Sequence, residues 1–194
     1  KWHEQIIRSL EYSLMCTLFC LLLALPLAYF IAFKAGRWKN LLMALVIAPF
    51  FTSYLIRTLA WKTILADDST TVHILNWLHV TPLLNTLGWT NSDHTVLSSA
   101  FSVVCGMIYN FLPFTVLPLY TSMEKIDPRL HEAGADLYGS AWATFRKVTF
   151  PLALPGVVGG TLLTFIPAVG DYVNAAALGG PKQQVIGTVI EVVK

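Results

Sequence analysis

The chain has 194 residues, of which 55% are hydrophobic and only 12% charged, with a formal net charge of +2. An average soluble domain carries about 25% charged residues. A mean hydropathy of +0.61 leaves more apolar surface than a soluble core can hide, so the chain reads as a membrane protein, and its small net charge gives nucleic-acid binding no footing. Residues 1–9 have no signal-peptide pattern. The first long apolar run is Tyr12–Phe33, which carries no charge. A membrane span takes about 20 mostly apolar residues, so this run is the first predicted span. Leu41–Ile56 is the second, reaching Ala66 if Arg57 and Lys62 sit near one end; Val96–Met123 is the third. Val148–Gly170, interrupted by Pro151, Pro155 and Pro167, is the fourth. Pro26, Pro49, Pro113 and Pro118 would break soluble helices, but neighbouring helices re-satisfy the freed backbone groups in a membrane bundle. Gly156, Gly159 and Gly160 suit close helix contact. Cys16, Cys20 and Cys105 all lie in apolar runs with no CxxC pair, and read as packing residues.

Basic residues beside the spans set the orientation. Lys34, Arg37 and Lys39 follow the first span; Lys125, Arg129, Arg146 and Lys147 flank the segment after the third. Both loops are therefore expected to be cytoplasmic. The loop between them, Asp67–Thr95, carries three Asp and neither Lys nor Arg, with Trp77 and Trp89 suited to an interfacial belt. The N-terminus is then external. The chain approaches its first span from outside, and Gln184–Lys194 opens an amphipathic or spanning helix through Val185, Ile186, Val189, Ile190 and Val193. These ends lead to the expectation of one further span at each end, six in all.

Residues 124–150 separate the third and fourth spans and read as helical. Asp127 is a predicted N-cap, and Pro128 fits a first helical turn. Leu130, Ala133, Leu137 and Ala141 recur at helical spacing, with Glu132 and Asp136 on a neighbouring stripe. Gly134 and Gly139 each lower helix propensity by about 1 kcal/mol, yet small residues serve where a helix seats closely in a groove. A second helix over Ala141–Phe150 is predicted to end at Pro151. Spacing alone leaves three readings open: a docking helix, a helix lying flat on lipid, and a solvated loop.

This stretch, EAGADLYGSAWATFRKVTFPLALPG, resembles the EAA loop of ABC-importer permeases, whose pattern is E-A-A, three residues, G, nine residues, I-x-L-P. Glu132, Ala133 and Gly134 take the opening places, and Val148, Phe150 and Pro151 the closing ones, without a gap. Gly134 stands where the pattern has its second Ala. Tyr138 stands where it has Gly, with Gly139 one place later. The resemblance covers most of the chain and is strongest to the permeases of spermidine/putrescine importers. It is carried by the runs PFFTSYLIRT from Pro49, YNFLPFTVLPLY from Tyr109, EKID from Glu124, FIPAVGDYV from Phe165 and LGGP from Leu178. Permeases for sugars, glycerophosphodiesters or ferric iron share parts of these runs. The resemblance implies an all-α polytopic transmembrane helix bundle of the type I ABC-importer permease fold in a bacterial inner membrane, forming one transmembrane domain over 1–194. It implies that Glu132, Ala133, Gly134, Asp136, Tyr138 and Gly139 couple to a separate ATPase dimer that holds the ATP and Mg. It further implies a second homologous permease and an extracytoplasmic solute-binding protein. A membrane assembly protein without transport activity is the rival of a different class.

No GxxxxGK[ST] motif occurs, and Gly179-Gly180-Pro181-Lys182 is too short to supply one. The five His are scattered over loops, and no nucleophile stands beside a base, so the residues offer no enzyme and no metal site. Ionisable groups within or beside spans are functional candidates because burying charge in lipid is costly. Glu11, Arg57, Lys62 and Asp171 qualify. Carboxylates beside aromatic faces attract a polycation, which makes Asp171, Tyr172 and Glu11 the candidate pathway residues. The alternative is interfacial placement or an ion pair of Asp171 with Arg57 or Lys62, both of which can also snorkel to headgroups. Tyr54 and Trp61 read as belt or packing residues.

Overall fold

A computed structural model describes residues 2–66, 68–77, 89, 96–180 and 185, and among these residues no β-strand occurs. Helix α1, Trp2–Tyr29, runs through the first apolar stretch, passes Pro26 and continues as a π-turn over Phe30–Lys34. It begins well before the apolar run at Tyr12. The buried Ser13 and Thr17 hydroxyls donate to the carbonyls of Ser9 and Thr17's own i−4 neighbour Ser13, each at 2.7 Å.

The run expected as the second span is broken. After a 3-10 turn at Gly36–Trp38 that precedes it, the run holds helix α2 at Lys39–Ile47, a 3-10 turn at Ala48–Phe51 and helix α3 at Tyr54–Ile64. Pro49 lacks an N–H and clashes with the preceding turn. Ser53 then adopts an extended conformation (φ −57°, ψ 136°), which ends the helical path before Tyr54. Helix α4 covers Thr70–Trp77. Helix α5, Ala100–Glu124, passes Pro113 and Pro118 without a break.

Helix α6 covers Pro128–Tyr138 and α7 covers Ala141–Thr144. The helix expected to stop at Pro151 does not stop. A π-turn over Phe145–Thr149 leads directly into α8, Phe150–Val169. The wider turn lets the Phe150 N–H reach the Phe145 carbonyl and places Pro151, which needs no donor, in the turn that follows. Helix α9, Tyr172–Leu178, closes the described elements. Among the described residues, three helical stretches are long and apolar enough to cross a membrane: His3–Lys34, Ala100–Glu124 and Ala141–Val169. A fourth is obtained if the broken pair Gly36–Phe51 and Tyr54–Ile64 is taken as one span. The loop expected over Asp67–Thr95 is described only at 68–77 and 89. The terminal helix expected over Gln184–Lys194 lies outside the described residues apart from Val185.

The chain divides into two compact units. One comprises Lys1–Thr17, Phe50–Asn110 and Phe165–Lys194, and contains an apolar cluster of Leu65, Val72 and Val96. The other comprises Leu18–Pro49 and Phe111–Thr164, with a core of Ala24, Ala28, Ile31, Val116, Leu119, Met123 and Ala153. Within this second unit α5 and α8 approach backbone to backbone. A Cβ on Gly156 would fall 2.7 Å from the Pro118 carbonyl oxygen, and one on Gly160 would fall 3.1 Å from that of Thr115. The Thr115 and Thr164 hydroxyls meet at 2.6 Å across the same contact.

Candidate functional site

Two sets of residues are candidates for function, one in each unit. The first is α6. Asp127 caps it by accepting the Arg129 N–H at 2.9 Å, and Pro128 occupies its first turn, as the sequence predicts. The helix ends at Gly139, which has a φ of +65° and returns its N–H to the Ala135 carbonyl. This is the left-handed termination that glycine favours. Beyond its two chain neighbours, nothing lies within 4 Å of where a Gly139 side chain would begin, so backbone sign rather than space selects glycine here. Ser140 then caps α7 by accepting the Ala143 N–H at 3.2 Å.

The expected stripe on α6 is solvent-facing, with Leu137 74% and Leu130 50% exposed. Glu132, Ala133, Asp136 and Tyr138 are exposed beside it. Glu132 also lines a recess of about 230 Å³ with Ala32, Phe33, Lys34 and Pro128. The Tyr138 ring lies under the Lys147 ammonium at 4.4 Å. Gly134 is buried against the chain itself. A Cβ there would lie 2.9 Å from Thr144 Cγ2 and 3.1 Å from Val148 Cγ2. Its smallness therefore seats α6 on the 141–149 segment, and the outer face is left to Leu130, Glu132, Ala133, Asp136 and Leu137. At the root of the loop, Lys39 Nζ pairs with Glu124 Oε1 at 2.6 Å and lies 5.4 Å from the Tyr120 ring centroid.

The second set surrounds Asp171. Its Oδ1 accepts the Asn174 N–H at 3.3 Å and so caps α9. Its Oδ2 accepts from the Tyr54 hydroxyl at 2.7 Å and also from Asn174 Nδ2. Asn174 Nδ2 lies 2.7 Å from the Tyr54 hydroxyl oxygen. Asn110 Nδ2 donates to Asn174 Oδ1 at 3.4 Å, and the buried Thr58 hydroxyl lies 3.3 Å from the same oxygen. A carboxylate is thus held by neutral donors in a half-buried position.

Of the pathway residues read from the sequence, Asp171 alone belongs to this network. Tyr172 is exposed and Glu11 is exposed on α1, and neither bonds Asp171. Tyr54, read as a belt or packing residue, also donates its hydroxyl to Asp171, and its ring packs beside Arg57. Trp61 packs edge-on against Tyr109 with centroids 5.7 Å apart. Lys62 is exposed, whereas Arg57 is buried. Neither cation forms an ion pair with Asp171. Asn174, Asn110 and Thr58 escaped the sequence reading, since polar residues within apolar runs carry no periodic signal.

Residues 17–191 match the family described as binding-protein-dependent transport system inner membrane component. The chain is 37% identical over 193 residues to the spermidine/putrescine transport system permease protein PotB of Escherichia coli K12, covering 98% of this chain and 66% of that protein. It is 36% identical to the PotB of Haemophilus influenzae, covering 94% and 61%. It is 32% identical to the inner membrane ABC transporter permease protein YdcU of Escherichia coli K12, covering 92% and 58%. The chain therefore spans about three fifths to two thirds of the length of these relatives. By the match over nearly its whole length, this all-α chain belongs to the family of binding-protein-dependent transport system inner membrane components, whose fold is that of the type I importer permeases.

Proposed function

We propose that the chain is the permease subunit of an ATP-driven polyamine importer, with spermidine or putrescine as solute. It forms half of the translocation pathway beside a second, similar permease. It performs no catalysis; a separate ATPase pair holds ATP and Mg, and an extracytoplasmic solute-binding protein delivers the solute. The observation that carries this reading is α6: a capped amphipathic helix between two spans, with an apolar and acidic face turned outward. On the cytoplasmic side that face docks in a cleft of the ATPase. Closure of the ATPase pair pushes on residues 132–139, and the spans alternate between inward- and outward-facing states. The polyamine assignment is supported by the names of the relatives and by Asp171, a half-buried carboxylate beside an aromatic hydroxyl that suits an ammonium group.

The test is ATP hydrolysis by the full-length chain reconstituted in lipid with its partner permease and ATPase. Binding protein loaded in turn with spermidine, putrescine, a sugar or ferric iron is added. Stimulation by the polyamine-loaded protein alone is the expected result. Stimulation by another solute would retain the permease and replace the polyamine. Failure of the chain to assemble with any ATPase would overturn the coupling role of α6.

A further inference from the structure

Arg57 is held in a way that the site around Asp171 leaves unexplained. The residue is 8% exposed, and its Nε and Nη1 have no hydrogen-bond partner. The rings of Tyr54 and Phe50 lie 5.6 and 6.0 Å from the guanidinium carbon. Ring faces attract the charge but accept none of the in-plane N–H groups. A buried guanidinium with orphan donors is costly, and a structure with a single working conformation gains nothing from keeping one. The same unit holds the complementary orphan. Asn110 Oδ1 is buried without a partner, while its Nδ2 bonds Asn174, itself a donor to Asp171. Orphan donors and an orphan acceptor thus flank one network, and Tyr54 belongs to both sides. Its ring carries Arg57, and its hydroxyl holds Asp171.

A protein that alternates between two conformations can use such a mismatch, because atoms unsatisfied in one state bias it toward the state that pairs them. Asp171 is the one acid among the described residues that bonds a residue Arg57 touches; Glu4, Glu11 and Asp68 are exposed. We infer that Arg57 is an internal competitor for the cationic solute: in the alternate conformation its guanidinium turns into the network, pairs with Asp171 and Asn110 Oδ1, and displaces the ammonium group held there. Charge balance favours exchange over co-occupancy, since one carboxylate neutralises one cation. The inference rests on the reading of Asp171 as a solute contact. It makes Arg57 a specificity and release residue that acts through Asp171.

The experiment uses the complete reconstituted importer and measures spermidine uptake for Arg57→Gln, Arg57→Lys and Asp171→Asn. Removing the competitor strengthens solute binding and slows release, so Arg57→Gln lowers KM and kcat together, each by about tenfold, within the ordinary range of coupling between sites. Arg57→Lys, which keeps the charge, restores part of both. A purely structural role would lower kcat by reducing the number of active complexes while leaving KM unchanged, and that result overturns the inference. If Arg57→Gln leaves both constants unchanged while Asp171→Asn abolishes uptake, the competitor role fails and the solute contact stands. If Asp171→Asn transports normally, the solute contact fails and the inference falls with it. If Arg57→Gln does not assemble, Arg57→Lys decides: KM and kcat lowered together support the exchange, and a fall in kcat at unchanged KM overturns it.

Discussion

Helix α6 and the Asp171 network solve opposite problems. The helix leaves apolar and acidic side chains exposed and seats its glycine face on the chain. The network draws polar side chains inward and satisfies them with one another across large sequence distances, with Tyr54 and Asp171 117 positions apart. A surface built to meet a partner needs local order and a free face. A site that holds a charge near lipid needs donors gathered from several helices. Substitutions in α6 should therefore act on association, and substitutions in the network should act on the solute.

The sharpest way to break that contrast is Glu132→Lys. Reversing the charge on the exposed face should weaken co-purification of the ATPase about 100-fold while leaving the permease folded. Unchanged co-purification would mean that the face rests on lipid. Gly134→Leu should act from the opposite side of the same helix. Overpacking against Thr144 and Val148 should destabilise the chain by about 1–3 kcal/mol, read as a lower unfolding midpoint in detergent. In the network, Tyr54→Phe removes the donor to Asp171 and the acceptor for Asn174. A loss of about 1 kcal/mol is expected for such a bond, seen as a rise of roughly fivefold in the KM for uptake with ATPase association intact. The smallest effect belongs to Lys39→Gln. Its partner Glu124 is 42% exposed and Lys39 itself 28%, so solvent screening limits the pair to about 0.5 kcal/mol, a thermal shift that should vanish at high salt.

The same contrast governs what could be read in advance. Asp127, Pro128 and the Leu130/Leu137 stripe are local signals, and α6 formed where they placed it. Gly139 is a local signal too, since a helix end selects a positive φ. Gly134 is different: its contact with Thr144 and Val148 exists only after α6 folds back on the following segment. Pro49 and Pro151 show why span boundaries were harder. Both lack a donor, yet one lies where the helical path breaks and the other follows a π-turn that carries the helix onward. The deciding feature is the neighbouring turn. Around Asp171, hydropathy placed Arg57 at the end of a span, where snorkelling and an ion pair with Asp171 were both open. The rings beside it, Phe50 and Tyr54, are near in sequence, whereas the polar partners of the Asp171 network come from far along the chain, where no window of sequence brings them together.

The most direct measurement of the central claim places a photo-crosslinking residue at Leu137, the most exposed apolar position of α6, in the membrane-embedded importer. Docking predicts a cross-link to the ATPase subunit whose yield changes when ATP is added. Cross-linking to lipid alone, unaffected by ATP, would contradict it.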